Sequence, residues 1–114
     1  MWQRRKNKYG NVRQGGYASK KEYQKSQELI LLKKAGEIFD WQSQVKIELR
    51  GENKTRVCNY FCDFLVIHNN GVKEYIEIKS KATKTSIWRL KWKLANDKFQ
   101  KGIKKSKIKL TIEE

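Results

Sequence analysis

The chain has 114 residues, enough for one domain with a modest core and too few for two. Its 27 lysine and arginine residues against 12 aspartate and glutamate residues give a net charge of +15, which favours a polyanion, and nucleic acid in particular, as its partner. No stretch approaches the roughly 20 apolar residues that span a bilayer, and the basic start lacks the apolar segment of a secretory signal. We therefore expect a cytoplasmic protein with no membrane contact.

Residues 1–18 are basic, contain three glycines and show no periodicity. One interpretation is a flexible arm that grips DNA phosphates, and the other is a disordered, solubilising terminus. The basic residues of this arm are Arg4, Arg5, Lys6, Lys8 and Arg13. The remaining residues, 19–114, are expected to form a single domain.

A helix is expected from Ser19 to the glycine at position 36. Ser19 and Glu22 have the spacing of a capping box, and Gly36 stands where a helix commonly ends. Glu22 has two interpretations: it closes the cap, or its position one turn before Ser26 directs its carboxylate toward the sheet. The buried stripe of this helix is predicted to comprise Leu29, Ile30, Leu31, Leu32 and Ala35.

The middle of the chain predicts three strands. Residues 44–49 alternate polar and apolar, which indicates a strand with one polar face. Residues 59–79 predict a β-hairpin, because two β-rich runs flank the pair Asn70-Gly71. Cys58 and Cys62 lie four apart on one of these strands, about 13 Å along it, so we expect two buried free thiols in place of a disulfide.

A polar loop, a second helix, a lysine-rich turn and a last strand complete the chain. The helix is expected to run from Thr85 or Ser86 to Phe99, and Ile108, Leu110 and Ile112 alternate as the strand. The order α-β-β-β-α-β predicts an α/β domain with a mixed sheet flanked by helices. We expect the apolar side of the second helix to comprise Ile87, Trp88, Lys91, Trp92, Leu94, Ala95 and Phe99. Phosphate contacts are expected from Lys81, Lys84, Arg89 and Lys93.

The hairpin carries the candidate chemistry. Asp63 interrupts the apolar first strand, where a buried carboxylate needs a partner or a metal. Glu77 and Lys79 are two apart on the second strand, so their side chains share one face. The three groups can therefore meet at one point, although a solvated sheet face explains Glu77 and Lys79 equally simply.

Two carboxylates at one point suit a hard divalent cation such as Mg²⁺, with Mn²⁺ as a substitute. We expect Asp63, Glu77 and the Ile78 carbonyl to hold it, with Glu22 on its outer waters or on a second ion. Lys79 is expected to orient or stabilise the attacking hydroxide, and Gln44 to hydrogen-bond the same group of residues. This is the equipment of a metal-dependent phosphodiesterase.

In their order along the chain, these motifs resemble the PD-(D/E)XK nuclease superfamily, and more narrowly a small phage-encoded branch of it. The resemblance extends over about residues 8–100. The Asp/Glu-x-Lys motif corresponds to residues 77–79. Further motifs that carry it are Lys8 to Asn11, Ser19 to Glu22, Leu32 to Gly36, Tyr60 to Phe64 and Trp88 to Lys91.

The resemblance implies a restriction-endonuclease-like core and a homodimeric enzyme similar to Holliday-junction resolvases, acting on branched DNA in phage recombination. It also implies a bacterial host cytoplasm as the location. Glu22, Asp63, Glu77 and Lys79 all match the metal-site positions of the superfamily. Two features depart from the branch: Gln44-Val-Lys46 replaces a Gln-Pro-Lys strand, and the segment before Ser19 is shortened. Three functions stay open, namely a junction resolvase, a flap, nicking or sequence-selective nuclease, and a non-catalytic DNA-binding module.

Overall fold

The computed structural model describes residues 19–51, 53, 55–80 and 83–114, and within them it contains four strands and three helices. The expected arm at residues 1–18, with Arg4, Arg5, Lys6, Lys8 and Arg13, lies outside the described residues, as does Lys81. In chain order the elements are α1 (Lys20–Lys34), β1 (Asp40–Arg50), β2 (Arg56–Ile67), β3 (Lys73–Ile78), α2 (Ser86–Lys98), α3 (Gln100–Lys104) and β4 (Ile108–Glu113).

The strands form one mixed sheet in the order β1-β2-β3-β4. The first two pairs are antiparallel and β3 pairs with β4 in parallel, so the chain has to cross over through α2 and α3 between them. The predicted α/β class and the order α-β-β-β-α-β are confirmed. The expected lysine-rich turn is wrong in part, because α3 occupies its first half.

The hairpin turn has the predicted chemistry. Gly71 has a φ of 88°, a conformation that glycine adopts without a Cβ clash, and the side chain of Asn70 accepts a hydrogen bond of 3.0 Å from the Val72 N–H. The backbone closes from His68 N–H to the Val72 carbonyl at 2.8 Å. Asn-Gly therefore sets the register that brings β2 and β3 together.

Each face of the sheet is covered by one helix. On one face, Trp88 and Ala95 of α2 pack with Tyr60, Cys62 and other sheet residues. On the opposite face, Leu29 of α1 packs on Phe64, Val66 and Ile76. No helix among the described residues combines the length and the apolar character that crossing a membrane requires.

Three of the predicted burial assignments are wrong. Leu31 is 66% exposed and Ala35 is exposed, because an uninterrupted apolar run winds around a helix and only part of it can face the sheet. Ile87 is 70% exposed in the first turn of α2. The two thiols are free as expected, with Cys62 buried and Cys58 half-buried.

Candidate metal and catalytic site

The alternation of side chains breaks at the point where the site lies. In β2, Tyr60 and Cys62 face α2, but Phe64 and Val66 face α1, so the strand changes parity around Asp63. The neighbouring strand does the same: its regular pairing with β2 skips Gln44, whose φ is 52°. A residue in this left-handed conformation produces the kind of local irregularity that re-aims a strand's side chains.

The pairing of β2 with β3 also ends here, after Phe64 and Ile76. Beyond that pair, side-chain carboxylates and not backbone carbonyls accept the hydrogen bonds of the backbone N–H groups. The Ile78 N–H donates to Asp63 Oδ2 at 2.9 Å, and the Asp63 N–H donates to Glu77 Oε2 at 3.2 Å. Asp63 and Glu77 are therefore connected by two hydrogen bonds, each from a backbone N–H of one strand to a side-chain carboxylate of the other. The sequence predicted that these two residues would lie together.

Glu77 is the most enclosed acidic group of the site, at 2% exposed. Its carboxylate contacts the Tyr60 hydroxyl and the Cys62 thiol, and Lys79 Nζ lies 3.7 Å from its Oε1. The alternative of a solvated sheet face is thus wrong for Glu77. Lys79 is on the same face, as expected, and its Nζ lies 5.6 Å above the ring of Trp88.

Burial favours the protonated form of both carboxyl groups. Desolvation raises the pKa of Asp63, and the Ile78 N–H, the Lys79 charge and the Gln44 amide oppose that rise. Desolvation and the charge of Asp63 raise the pKa of Glu77, against hydrogen bonds from Tyr60 and from the Asp63 N–H. Burial followed by the charge of Glu77 raises the pKa of the Cys62 thiol, which is therefore no nucleophile.

The residues fit a hard divalent cation. Asp63 and Glu77 offer carboxylate oxygens, and their mutual repulsion is relieved by a positive charge between them. Ile78 lies against Asp63 through its N–H, which puts its peptide group beside both carboxylates. Mg²⁺ is commonly held by one or two carboxylates and keeps several waters, so this donor set is sufficient.

Gln44 joins the site as predicted, although it is exposed. Its amide nitrogen donates to Asp63 Oδ1 at 3.4 Å, a long hydrogen bond across β1 and β2. Sequence reasoning placed Gln44 on a regular polar face. Its left-handed backbone is the feature that sequence reasoning missed.

The structure supports each of the two interpretations of Glu22 in part. Its N–H donates to Ser19 Oγ at 3.1 Å, which is half of a capping box, and its side chain is buried on the face of α1 that also carries Ser26 and Leu29. That face packs on the α1 side of the sheet, whereas Glu77 contacts Tyr60 on the α2 side. Among the described residues no three His, Cys, Asp or Glu side chains form a metal-binding group, and the assignment of Glu22 to the outer waters of the cation or to a second ion stays a prediction.

The described basic residues that were predicted to contact DNA differ in how accessible their charges are. Arg89 and Lys93 are exposed one turn apart on α2, the helix whose Trp88 contacts Lys79. The ammonium of Lys84 pairs with the Glu114 carboxylate, which reduces its availability to phosphate. His68, just after the end of β2, is half-buried, and its Nε2 lies 2.8 Å from Glu74 Oε1.

Sequence reasoning missed the aromatic side of the site. The Trp88 indole N–H donates to the Tyr60 hydroxyl at 3.2 Å, and Tyr60 contacts Glu77. Tyr60 occurs three residues before Asp63, and a polar aromatic so close to a buried carboxylate was the available signal.

Comparison with known proteins gives a family but no function. The family model described as "Protein of unknown function (DUF1064)" matches residues 4–111. Neither the curated proteins nor the solved structures contain a significant match. The resemblance to the nuclease superfamily therefore stays a prediction that depends on the motifs.

Proposed function

The chain belongs to the DUF1064 family of proteins of unknown function, and we propose that it is a divalent-metal-dependent DNA endonuclease that hydrolyses phosphodiester bonds. One observation carries the proposal: Asp63 and Glu77 are buried in contact where β2 and β3 part, with the Lys79 ammonium beside them. Buried carboxylates that repel each other are costly in a protein with no use for them, which supports a cation-binding role.

We further propose that the substrate is branched DNA, of the Holliday-junction type, and that the enzyme acts as a homodimer in phage recombination within the host cytoplasm. The support for these finer points is the resemblance of the motifs. A junction carries two symmetric cleavage positions, which matches a two-fold symmetric dimer. The charge of +15 supports a polyanionic substrate.

The residues have distinct roles in the proposed reaction. When bound, a divalent cation such as Mg²⁺ would supply a water of lowered pKa and positive charge beside the phosphate. Asp63 and Glu77 would hold the cation, together with the Ile78 carbonyl. Lys79 is positioned to donate to the attacking hydroxide or to the developing charge. Gln44 restrains the Asp63 carboxylate, and Arg89 and Lys93 hold the DNA backbone without reading its sequence.

A second candidate is a non-catalytic DNA-binding module. The observation that favours it is that no three His, Cys, Asp or Glu side chains among the described residues form a metal-binding group. In that case the acidic pair is structural and DNA binding is indifferent to the metal.

The test is cleavage of a labelled four-way junction beside flap and linear duplex substrates of identical arm sequence, in Mg²⁺, Mn²⁺ and EDTA. Asp63→Asn and Glu77→Gln should lower cleavage by about 100-fold or more while DNA binding is kept or tightened, because each removes a negative charge near phosphate. The matched controls are Asp97→Asn and Glu37→Gln, which alter exposed carboxylates elsewhere.

The outcomes separate the candidates. Paired cuts on the junction alone support a resolvase, and cuts on every substrate support a nuclease of broader or different specificity. Binding without cleavage in either metal, unchanged by Asp63→Asn, contradicts the enzyme. If Glu77→Gln loses its folded circular dichroism spectrum, Glu77 is structural and its assignment as a ligand is wrong.

A further inference from the structure

Tyr60 lies between the candidate site and the core of the α2 face. It is 4% exposed, its hydroxyl accepts the Trp88 indole N–H at 3.2 Å, and the carboxylate of Glu77 lies against that hydroxyl. Because no water can replace a hydrogen bond made by a buried phenol, the hydroxyl of Tyr60 restrains the groups that it contacts.

The direction of these hydrogen bonds is set by chemistry. The indole N–H of Trp88 is a donor only, so the Tyr60 oxygen must accept it. The phenolic hydrogen is then left for Glu77, whose ionised carboxylate is an acceptor only. A continuous chain of donors therefore runs from Trp88 through Tyr60 to Glu77.

Trp88 also contacts the other reactive group. The Nζ of Lys79 lies 5.6 Å from its ring centroid, within the range of a cation–π interaction. Its ring stacks on Trp92 at a centroid distance of 5.6 Å, which restrains the indole. One indole thus restrains the acidic side of the site through Tyr60 and the basic side directly.

We infer that Tyr60, held by Trp88, is a positioning residue that orients the Glu77 carboxylate for the divalent cation. The inference rests on the proposed function. Groups that hydrogen-bond a metal ligand typically contribute about 10–100-fold to metal affinity or activity. The competing explanation is that Tyr60 merely fills the core, which would affect stability and leave metal affinity unchanged.

The experiment compares Tyr60→Phe with Tyr75→Phe in the full chain. Tyr75 is a buried tyrosine on β3 that stacks on Phe99 at 4.8 Å, so it offers the same chemical change in the same core. Mn²⁺ affinity is measured without DNA by isothermal titration calorimetry, cleavage by kcat and KM, and stability by urea unfolding in EDTA. Trp88→Phe, which removes the indole N–H and keeps an aromatic ring, is the second variant.

Tyr60→Phe should weaken Mn²⁺ binding by about 10–100-fold and lower kcat by a similar factor, with little change in the KM for DNA. Tyr75→Phe should leave both within about two-fold of wild type, and Trp88→Phe should weaken Mn²⁺ binding by a smaller factor than Tyr60→Phe. If Tyr60→Phe loses stability but binds Mn²⁺ as the wild type does, this inference is overturned and the proposed function stands. A wild type that neither binds Mn²⁺ nor cleaves DNA overturns both.

Discussion

Asp63 and Glu77 combine burial, mutual contact and a shortage of positive charge. Asp63 is 8% exposed and Glu77 is 2% exposed, and each has a raised pKa for which desolvation is the largest cause. Lys79 compensates only partly, since its Nζ lies 3.7 Å from one oxygen of Glu77. An ionised pair at this position is therefore costly in the free protein, and a bound cation would reduce that cost.

This cost predicts a dependence of stability on pH. A carboxyl group with a raised pKa in the folded state holds its proton more tightly than in the unfolded chain. Its stabilising contribution is full below the ordinary pKa and is lost as the pH rises through the raised value. Asn cannot ionise, so in EDTA the free energy of unfolding of Asp63→Asn should exceed that of the wild type by a margin that grows between about pH 4 and pH 8.

Urea unfolding across this range in EDTA checks the prediction. The lowered pKa values of Asp40, Glu48 and Glu74 act in the opposite direction but are common to both proteins, so the difference reports Asp63 together with the effect of its charge on the pKa of Glu77. Addition of Mg²⁺ should narrow the margin, because the cation stabilises the wild type preferentially. Asp97→Asn should follow the wild type, and a margin that is constant with pH would contradict the assigned environment of Asp63.

At the scale of the elements, the site depends on two strands that break their own regularity. Pairing between β1 and β2 skips Gln44, and pairing between β2 and β3 ends at Phe64, so Asp63 has irregular backbone on both sides. The gap is what allows a carboxylate to accept the Ile78 N–H in place of a ladder carbonyl. A regular hairpin would have placed Asp63 against one face of the sheet.

The left-handed backbone of Gln44 supplies a test of this arrangement. Glycine adopts a φ of 52° without the Cβ penalty, so Gln44→Gly should be about 1 kcal/mol more stable to urea than Gln44→Ala. Both variants lose the amide contact with Asp63 and should cleave DNA more slowly than the wild type.

Lys46 provides the control for that pair of variants. It lies two residues further along β1, exposed and regularly paired with Phe61. Because glycine is unfavourable in a regular strand, Lys46→Gly should be less stable than Lys46→Ala, the reverse of the order at position 44. The same order at both positions would show that the backbone at Gln44 is not held in this conformation.

At the scale of the whole molecule, the net positive charge supports the proposed DNA partner. The net charge is +15 on 114 residues, and most of the lysines and arginines that the structure describes are exposed, among them Arg89 and Lys93 on α2. Contacts of this kind release counterions from DNA, so affinity depends on salt in proportion to the number of phosphates neutralised.

We expect DNA affinity, measured by fluorescence anisotropy, to fall steeply between about 50 and 200 mM salt. Arg89→Ala and Lys93→Ala should each reduce the slope of log K against log salt by about 1. The control is Lys34→Ala, because Lys34 lies far from the candidate site. It ends α1 near Gly36, whose carbonyl accepts a hydrogen bond from Asn69 in the hairpin turn. That turn is at the opposite end of β3 from Lys79. A flat salt response would contradict the electrostatic part of the proposal.

The sequence predicted most of the architecture because its signals are local. The Ser19 cap, the Asn70-Gly71 turn and the period-2 alternation of β1 and β4 are short-range patterns, and they fix the elements and their order. The failures are of a different kind. Leu31 and Ile87 are apolar but exposed, because burial depends on which part of a helix the sheet happens to cover.

The candidate site also has a part that the sequence could predict and a part that it could not. Alternation alone put Glu77 and Lys79 on one face, and hairpin pairing put Asp63 beside them, so these three could be named from the sequence. The position of the buried Glu22 side chain relative to them could not, because it depends on how α1 packs on the sheet. Nor could the Trp88–Tyr60–Glu77 chain, whose members are brought together only when α2 packs on the strands.

By itself the sequence determined the order of the elements, the hairpin register and the strong positive charge, because each is encoded in residue types a few positions apart. The tertiary structure alone decided how deeply the carboxylates of the hairpin are buried and which aromatic groups hold them. Desolvation and hydrogen-bond geometry depend on contacts between residues distant in the chain, and those contacts exist only when the sheet and its two covering helices are assembled.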